Sequence, residues 1–179
     1  MRHRLATTGL ALTVIAALSS NAVALPSTGE ARPALVVHDA DDRPFDLRSV
    51  NGRPTLVIYE SKETNTQNQA LKDELSRLAR GDAYRNKVAL VPIADVASYS
   101  FWPAKGFVRD AIRSESKKAG TTIYCDWDGS AGRALGVRPG RSTVVLVGRS
   151  GKVLLSADGP LDAERRKALV DALRNEVGG

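Results

Sequence analysis

Reactive side chains gather at one corner of this chain. Residues 61–67 read SKETNTQ, directly after the apolar run Thr55–Tyr59 and just before Ala70 and Leu71, where leucines begin to recur at helical spacing. A strand that turns through a polar corner into a helix presents unpaired N–H groups and the positive end of a dipole. Such an end lowers the pKa of a cysteine and attracts anions. Neither cysteine nor histidine occurs in the corner. The Thr64 hydroxyl becomes a nucleophile only with a base beside it. Lys62 and Glu63 are the adjacent candidates, and the sole histidine beyond the leader, His38, lies in a distant segment. Capping a helix is the simpler role for Thr64 or Asn65.

The only cysteine is Cys125, in TIYCDWDG. Alternation puts it on one strand face with Ile123, which favours a buried, inert thiol. An exposed thiol available for mixed disulfides is the other reading. Asp39, Asp41 and Asp42, and again Asp126 and Asp128, carry part of a calcium-loop pattern without its full oxygen series. Tight-turn hydrogen bonding accounts for both clusters. There is no zinc spacing, phosphate loop or nucleophile elbow, so neither a metal nor a cofactor is expected. Two binding features remain. One is the corner, with Thr64, Asn65 and a more distant Arg141 as donors to a small anion. The other is ASYSFWPAKG, which sets Tyr99, Phe101 and Trp102 on a connection, where aromatics either anchor a partner or pack inward.

The elements that must position these groups follow from apolar periodicity. Residues 1–24 have a basic start, an apolar run from Leu10 to Leu18 and Ala22-Val23-Ala24, the layout of a secretory signal peptide cleaved after Ala24. The apolar run is too short for a bilayer span. Removing Arg2 and Arg4 lowers the net charge of +6 by two. The remaining cations are dispersed among acids, so nucleic-acid binding is not expected. Residues 25–33 read as a mobile leader, and 34–179 as one domain. Ala34–His38 and Phe45–Leu47 read as hairpin arms. Thr55–Tyr59, Val88–Ile93, Thr121–Cys125, Thr143–Val147 and Val153–Leu155 read as strands. Leu71, Leu75 and Leu78 mark one helix. Phe107, Val108, Ala111 and Ile112 mark a second, and Leu169, Leu173 and Val177 a third capped by Asp162. The result is an α/β three-layer sandwich, a mixed central sheet with helices on both faces and an N-terminal β-hairpin.

HDADDRPFDLRSVNGRPTLVIYE and STVVLVGRSGKV resemble the first strands and late hairpin of the thioredoxin superfamily, in its exported, peroxiredoxin-like and TlpA-like branch. GFVRDAIRSESKK, the D-x-x-G-x-A pattern at Asp126–Ala131 and ADGPL are similar to the C-terminal half of the periplasmic YtfJ family, which has no established activity. The resemblance implies a thioredoxin-like fold and places the superfamily's C-x-x-C cysteines at Thr64 and Gln67. It sets the peroxiredoxin T-x-x-C pattern on Ser61–Thr64, with Arg141 as the completing arginine. Where relatives carry a cis-proline this chain has Ser142, with Pro139 nearby in shifted register. Thiol–disulfide chemistry needs a thiolate, which none of these positions supplies. The expectation is therefore a redox-inactive periplasmic or secreted module that binds an extracytoplasmic protein or a small anion. The alternative is a peroxidase or disulfide-exchange enzyme using Cys125.

Overall fold

The computed structural model describes residues 24–80, 84 and 86–178. The signal peptide expected over residues 1–24 lies outside them apart from Ala24. Seven strands form one sheet: β1 Val36–His38, β2 Pro44–Asp46, β3 Thr55–Glu60, β4 Ala89–Asp95, β5 Tyr124–Asp126, β6 Thr143–Val147 and β7 Val153–Asp158. Four α-helices join them: α1 Gln69–Ala79, α2 Ala104–Ala119, α3 Ser130–Ala134 and α4 Ala163–Gly178. The strand order is β2-β1-β5-β4-β3-β6-β7. β3, β4 and β5 run parallel, while β1, β2, β6 and β7 pair antiparallel to their neighbours.

Period-two alternation divides the sheet between two cores. Val57, Tyr59, Val91, Ile93, Val145 and Val147 pack with Leu47 and with Ala131 and Leu135, next to or within α3. Leu56, Ile58, Val144 and Leu146 pack with Leu71 of α1 and with Leu169, Val170 and Leu173 of α4. β3 and β6 are buried throughout except at Glu60, which explains their unbroken apolar runs. At the head of α4, Asp162 accepts a hydrogen bond from the Arg165 N–H at 2.8 Å, as its capping position implies.

Several expectations shift. β5 begins at Tyr124 rather than Thr121. The chain before it is held to the end of α2, with the Thr121 N–H bonded to the Ser116 carbonyl and the Ile123 N–H to Ser116 Oγ. Leu47 leaves the second hairpin arm for a 3-10 turn, Leu47–Ser49, capped by Asp46. Pro92 sits inside β4 without breaking it. The Ala89 N–H points to Pro54, so alternation aims position 92 towards β5, which starts only opposite Ile93.

The apolar stripe expected on α2 is split. Val108 and Ile112 are half-buried, whereas Ala111 and Phe107 are exposed, and no residue of α2 is fully buried. Beside Val108 and Ile112 its inward face carries Lys105, Arg109 and Arg113, four residues apart along the helix.

Candidate functional site

The polar corner lies where β3 ends and β6 begins, with Tyr59 opposite Thr143. α1 does not start at the corner. Its N-cap is Asn68, and residues 62–68 form successive turns. The Thr64 N–H bonds Ser61 O, the Gln67 N–H bonds Thr64 O and the Gln69 N–H bonds Thr66 O. Hydroxyl side chains that bond locally compete with helical pairing. Thr64 Oγ1 accepts the Ser61 N–H at 2.8 Å, and Ser61 Oγ donates to Glu63 at 2.7 Å. Thr64 is only 2% exposed. The expected capping of α1 by Thr64 or Asn65 is thus corrected: Thr64 closes a turn upstream of the helix. Asn65 is exposed, and its carbonyl accepts the Lys72 ammonium.

The next two residues reach across to the loop before β6. Gln67 donates through Nε2 to Gly140 O at 2.9 Å and accepts the Ser142 N–H at 3.0 Å. A side-chain amide there makes the two bonds a neighbouring strand would make. Asn68, fully buried, donates to Ser142 Oγ at 2.7 Å and to Gly159 O at 3.2 Å, and accepts the Leu161 N–H at 2.9 Å. Arg141 is exposed and lies over Gly159, where an added Cβ would stand 2.7 Å from its Nη1. The structure therefore joins Gln67 and Ser142 directly and sets Arg141 beside them, while Thr64 is turned into its own loop.

Cys125 is 1% exposed, and burial pushes its thiol up to about 11 against the opposing pull of Arg109. The buried setting expected from alternation holds, and the exposed-thiol reading does not. Register adds a neighbour that linear distance concealed: Glu60, Ala94, Cys125 and His38 occupy one cross-strand row.

Asp126 departs most from its expected role as a turn residue. It is buried, and its Oδ2 accepts both the Tyr59 hydroxyl and the Gly132 N–H at 2.9 Å. Burial and then the Asp126 carboxylate hold the Tyr59 phenol protonated far above its ordinary range, so it remains a donor. A Cβ on Gly132 would meet Tyr59 Oη at 2.7 Å, so only glycine admits this approach. That helical glycine was the one sequence signal for the contact. Asp128 does serve the turn, accepting the Ser130 N–H, and Asp39 accepts the N–H groups of Asp41 and Arg43.

Glu60 provides a pH-dependent test. Its Oε2 meets Lys72 Nζ at 3.0 Å, but Oε1 is buried without a partner. Desolvation raises its pKa above the ordinary 4.5, outweighing Lys72. A raised carboxyl pKa means the folded state holds the proton more tightly than the unfolded chain. This contribution is therefore complete below the ordinary value and is lost as pH rises through the raised one. Glu60→Gln should gain urea resistance relative to wild type at about pH 7, and the gain should vanish near pH 3.5. A variant weaker than wild type at neutral pH would show that Lys72 dominates instead.

The aromatic connection is open to solvent. Trp102 is 90% and Phe101 61% exposed, while Tyr99 is half-buried. Inward packing of Phe101 or Trp102 is excluded. The Trp102–Pro103 bond is cis, the only such bond among the described residues, and Ser142 follows a trans bond.

No protein-family model matches the sequence, and no curated protein is significantly similar to it. Solved structures are similar in fold. A Chlorobium tepidum protein assigned as a DsbE thiol:disulfide interchange protein superposes with a TM-score of 0.64 at 18% identity, covering 86% of this chain and 99% of its own. A thiol peroxidase from Chromobacterium violaceum gives 0.60 at 15%, covering 84% and 88%. A secreted Mycobacterium tuberculosis disulfide oxidoreductase gives 0.55 at 21%, covering 82% and 96%. The chain is thus an α/β protein of thioredoxin-like fold, similar in architecture to thiol–disulfide oxidoreductases, with a single cysteine that is buried.

Proposed function

We infer that this is an exported, YtfJ-type thioredoxin-fold protein that works by binding rather than by thiol–disulfide catalysis. One observation carries the reading. Thr64 and Gln67, the residues the resemblance sets at the thiol positions, both have side chains engaged in internal hydrogen bonds. The only cysteine is a buried, protonated thiol in the middle of the sheet. Two neighbours in fold are described as a secreted oxidoreductase and an exposed lipoprotein thioredoxin, which supports an extracytoplasmic setting. No helix among the described residues is long and apolar enough to cross a membrane.

The surface best suited to a protein partner is the loop bearing Phe101 and Trp102, since exposed aromatics on a connection make interface anchors. Arg141 remains the cation available to a small anion near the corner. The discriminating experiment compares wild type and Cys125→Ser for peroxide consumption and for reduction of a protein disulfide. Neither protein should turn over above the uncatalysed rate. Cysteine-dependent turnover by wild type would establish an oxidoreductase and overturn the binding reading.

A further inference from the structure

α2 is attached to the molecule differently from the other three helices. α1, α3 and α4 each bury at least one residue; the 16 residues of α2 bury none. Side-chain burial is what ordinarily fixes an amphipathic helix to a sheet. Val108 and Ile112 are only half-buried, and two ion pairs and two cation–ring contacts tie the helix to the rest of the chain. Arg109 bonds Asp42, while Arg113 bonds Asp41 at 2.7 Å and reaches the Ala40 carbonyl at 3.5 Å. Lys105 and Arg109 lie 4.9 and 6.0 Å from the ring centre of Trp127. The acids gripping the helix stand on the turn between β1 and β2, and Asp42 there holds a left-handed φ of 61°. Asp41, Asp42 and Arg113 are each at least two-fifths exposed, so salt can reach both ion pairs.

What α2 covers also follows from register. Steps from β3 to β4 to β5 run in one direction across the sheet, so right-handed crossovers put α1 and α2 on the same face. Cys125 lies on that face, because its row contains Glu60, which shares one face of β3 with Leu56 and Ile58 of the α1 core. Arg109 and Lys105 of α2 both act on its thiol.

We propose that α2 is a salt-released cover. It lifts as a unit when its ionic clamps are screened, exposing Ala94 and Cys125 while the sheet and the other helices stay folded. Local openings of this kind belong to segments with few buried contacts. Gly120, left-handed with open space around it, serves as the C-terminal hinge, and the Thr121 and Ile123 N–H bonds to Ser116 that span it open with the helix.

The single cysteine reports the motion. The full chain is reacted with a thiol-labelling reagent, with a small free thiol as the chemical standard at each salt concentration. Relative to that standard, labelling should accelerate at least about tenfold from roughly 0.05 M to about 1 M NaCl, as the Debye length shrinks to about 3 Å. Asp41→Asn/Asp42→Asn should label quickly at low salt, since Asn tolerates the left-handed conformation and only charge is removed. Low urea should leave the accelerated rate unchanged, because a local opening exposes little surface. Labelling that ignores salt, rises with urea in step with global unfolding, or already matches the free thiol at low salt would overturn the cover. These outcomes do not depend on whether the protein is catalytic.

Discussion

Asp126→Ala is expected to destabilise the fold by about 4 kcal/mol, from two buried donors left unpaired at ~1–3 kcal/mol each plus a cavity where the carboxylate stood. The carboxylate joins three elements: β5, which carries it, β3 through Tyr59 and α3 through Gly132. α3 has only five residues, too few to be stable alone, so its position depends on this anchor. Against a total stability of ~5–15 kcal/mol, such a loss is large. Urea denaturation followed by far-UV circular dichroism measures it. Tyr59→Phe, which removes one donor and leaves the carboxylate its Gly132 bond, should cost about 1–2 kcal/mol. The double variant should fall short of the sum, because the two residues share one interaction. A loss below about 1 kcal/mol for Asp126→Ala would show that the carboxylate merely fills space.

Asn68→Ala should cost about 3 kcal/mol for a related reason. It removes the acceptor for the Leu161 N–H and the donors for Ser142 Oγ and Gly159 O, all in the interior. Those bonds hold the start of α1 to the start of β6 and to the segment entering α4. Asn68→Asp separates polarity from shape. It retains the acceptor towards Leu161 but turns an oxygen towards the Gly159 carbonyl, where nothing can be donated. It should therefore be destabilised at pH 7 by at least about 2 kcal/mol despite its isosteric side chain. Wild-type stability in the Asp variant would mean that the network adapts around position 68.

The architecture was legible in the sequence because the chain obeys simple periods where it buries most. Thr55–Tyr59 and Thr143–Val147 are continuous apolar runs, and both became central strands. Leu169, Leu173 and Val177 recur on one face, and all three are buried in α4. Legibility failed where polar side chains decide the geometry. The helical pattern from Ala70 marks the start of α1 at Gln69, but capping by Thr64 or Asn65 fails because turn bonds from Thr64 to Ser61, Gln67 to Thr64 and Gln69 to Thr66 occupy the corner upstream of the helix. Of the stripe expected on α2 only Val108 and Ile112 turn inward, because Lys105, Arg109 and Arg113 are drawn in beside them by Trp127, Asp41 and Asp42, partners distant along the chain. Asp126 was misread for the same reason. Local spacing suggests a turn, and only tertiary contact reveals the Tyr59 hydroxyl above it.

The amide of Gln67 carries a consequence for any attempt to install a dithiol at positions 64 and 67. Cysteine at 64 would remove the acceptor that closes the Ser61 turn, and cysteine at 67 would release the Gly140 carbonyl and the Ser142 N–H. Neither sulfur replaces those bonds well, since a thiol is a weak donor and acceptor. The two positions are not vacant sockets awaiting reactive atoms. Introducing a dithiol there would require repair of the backbone contacts as well, so it takes more than two substitutions.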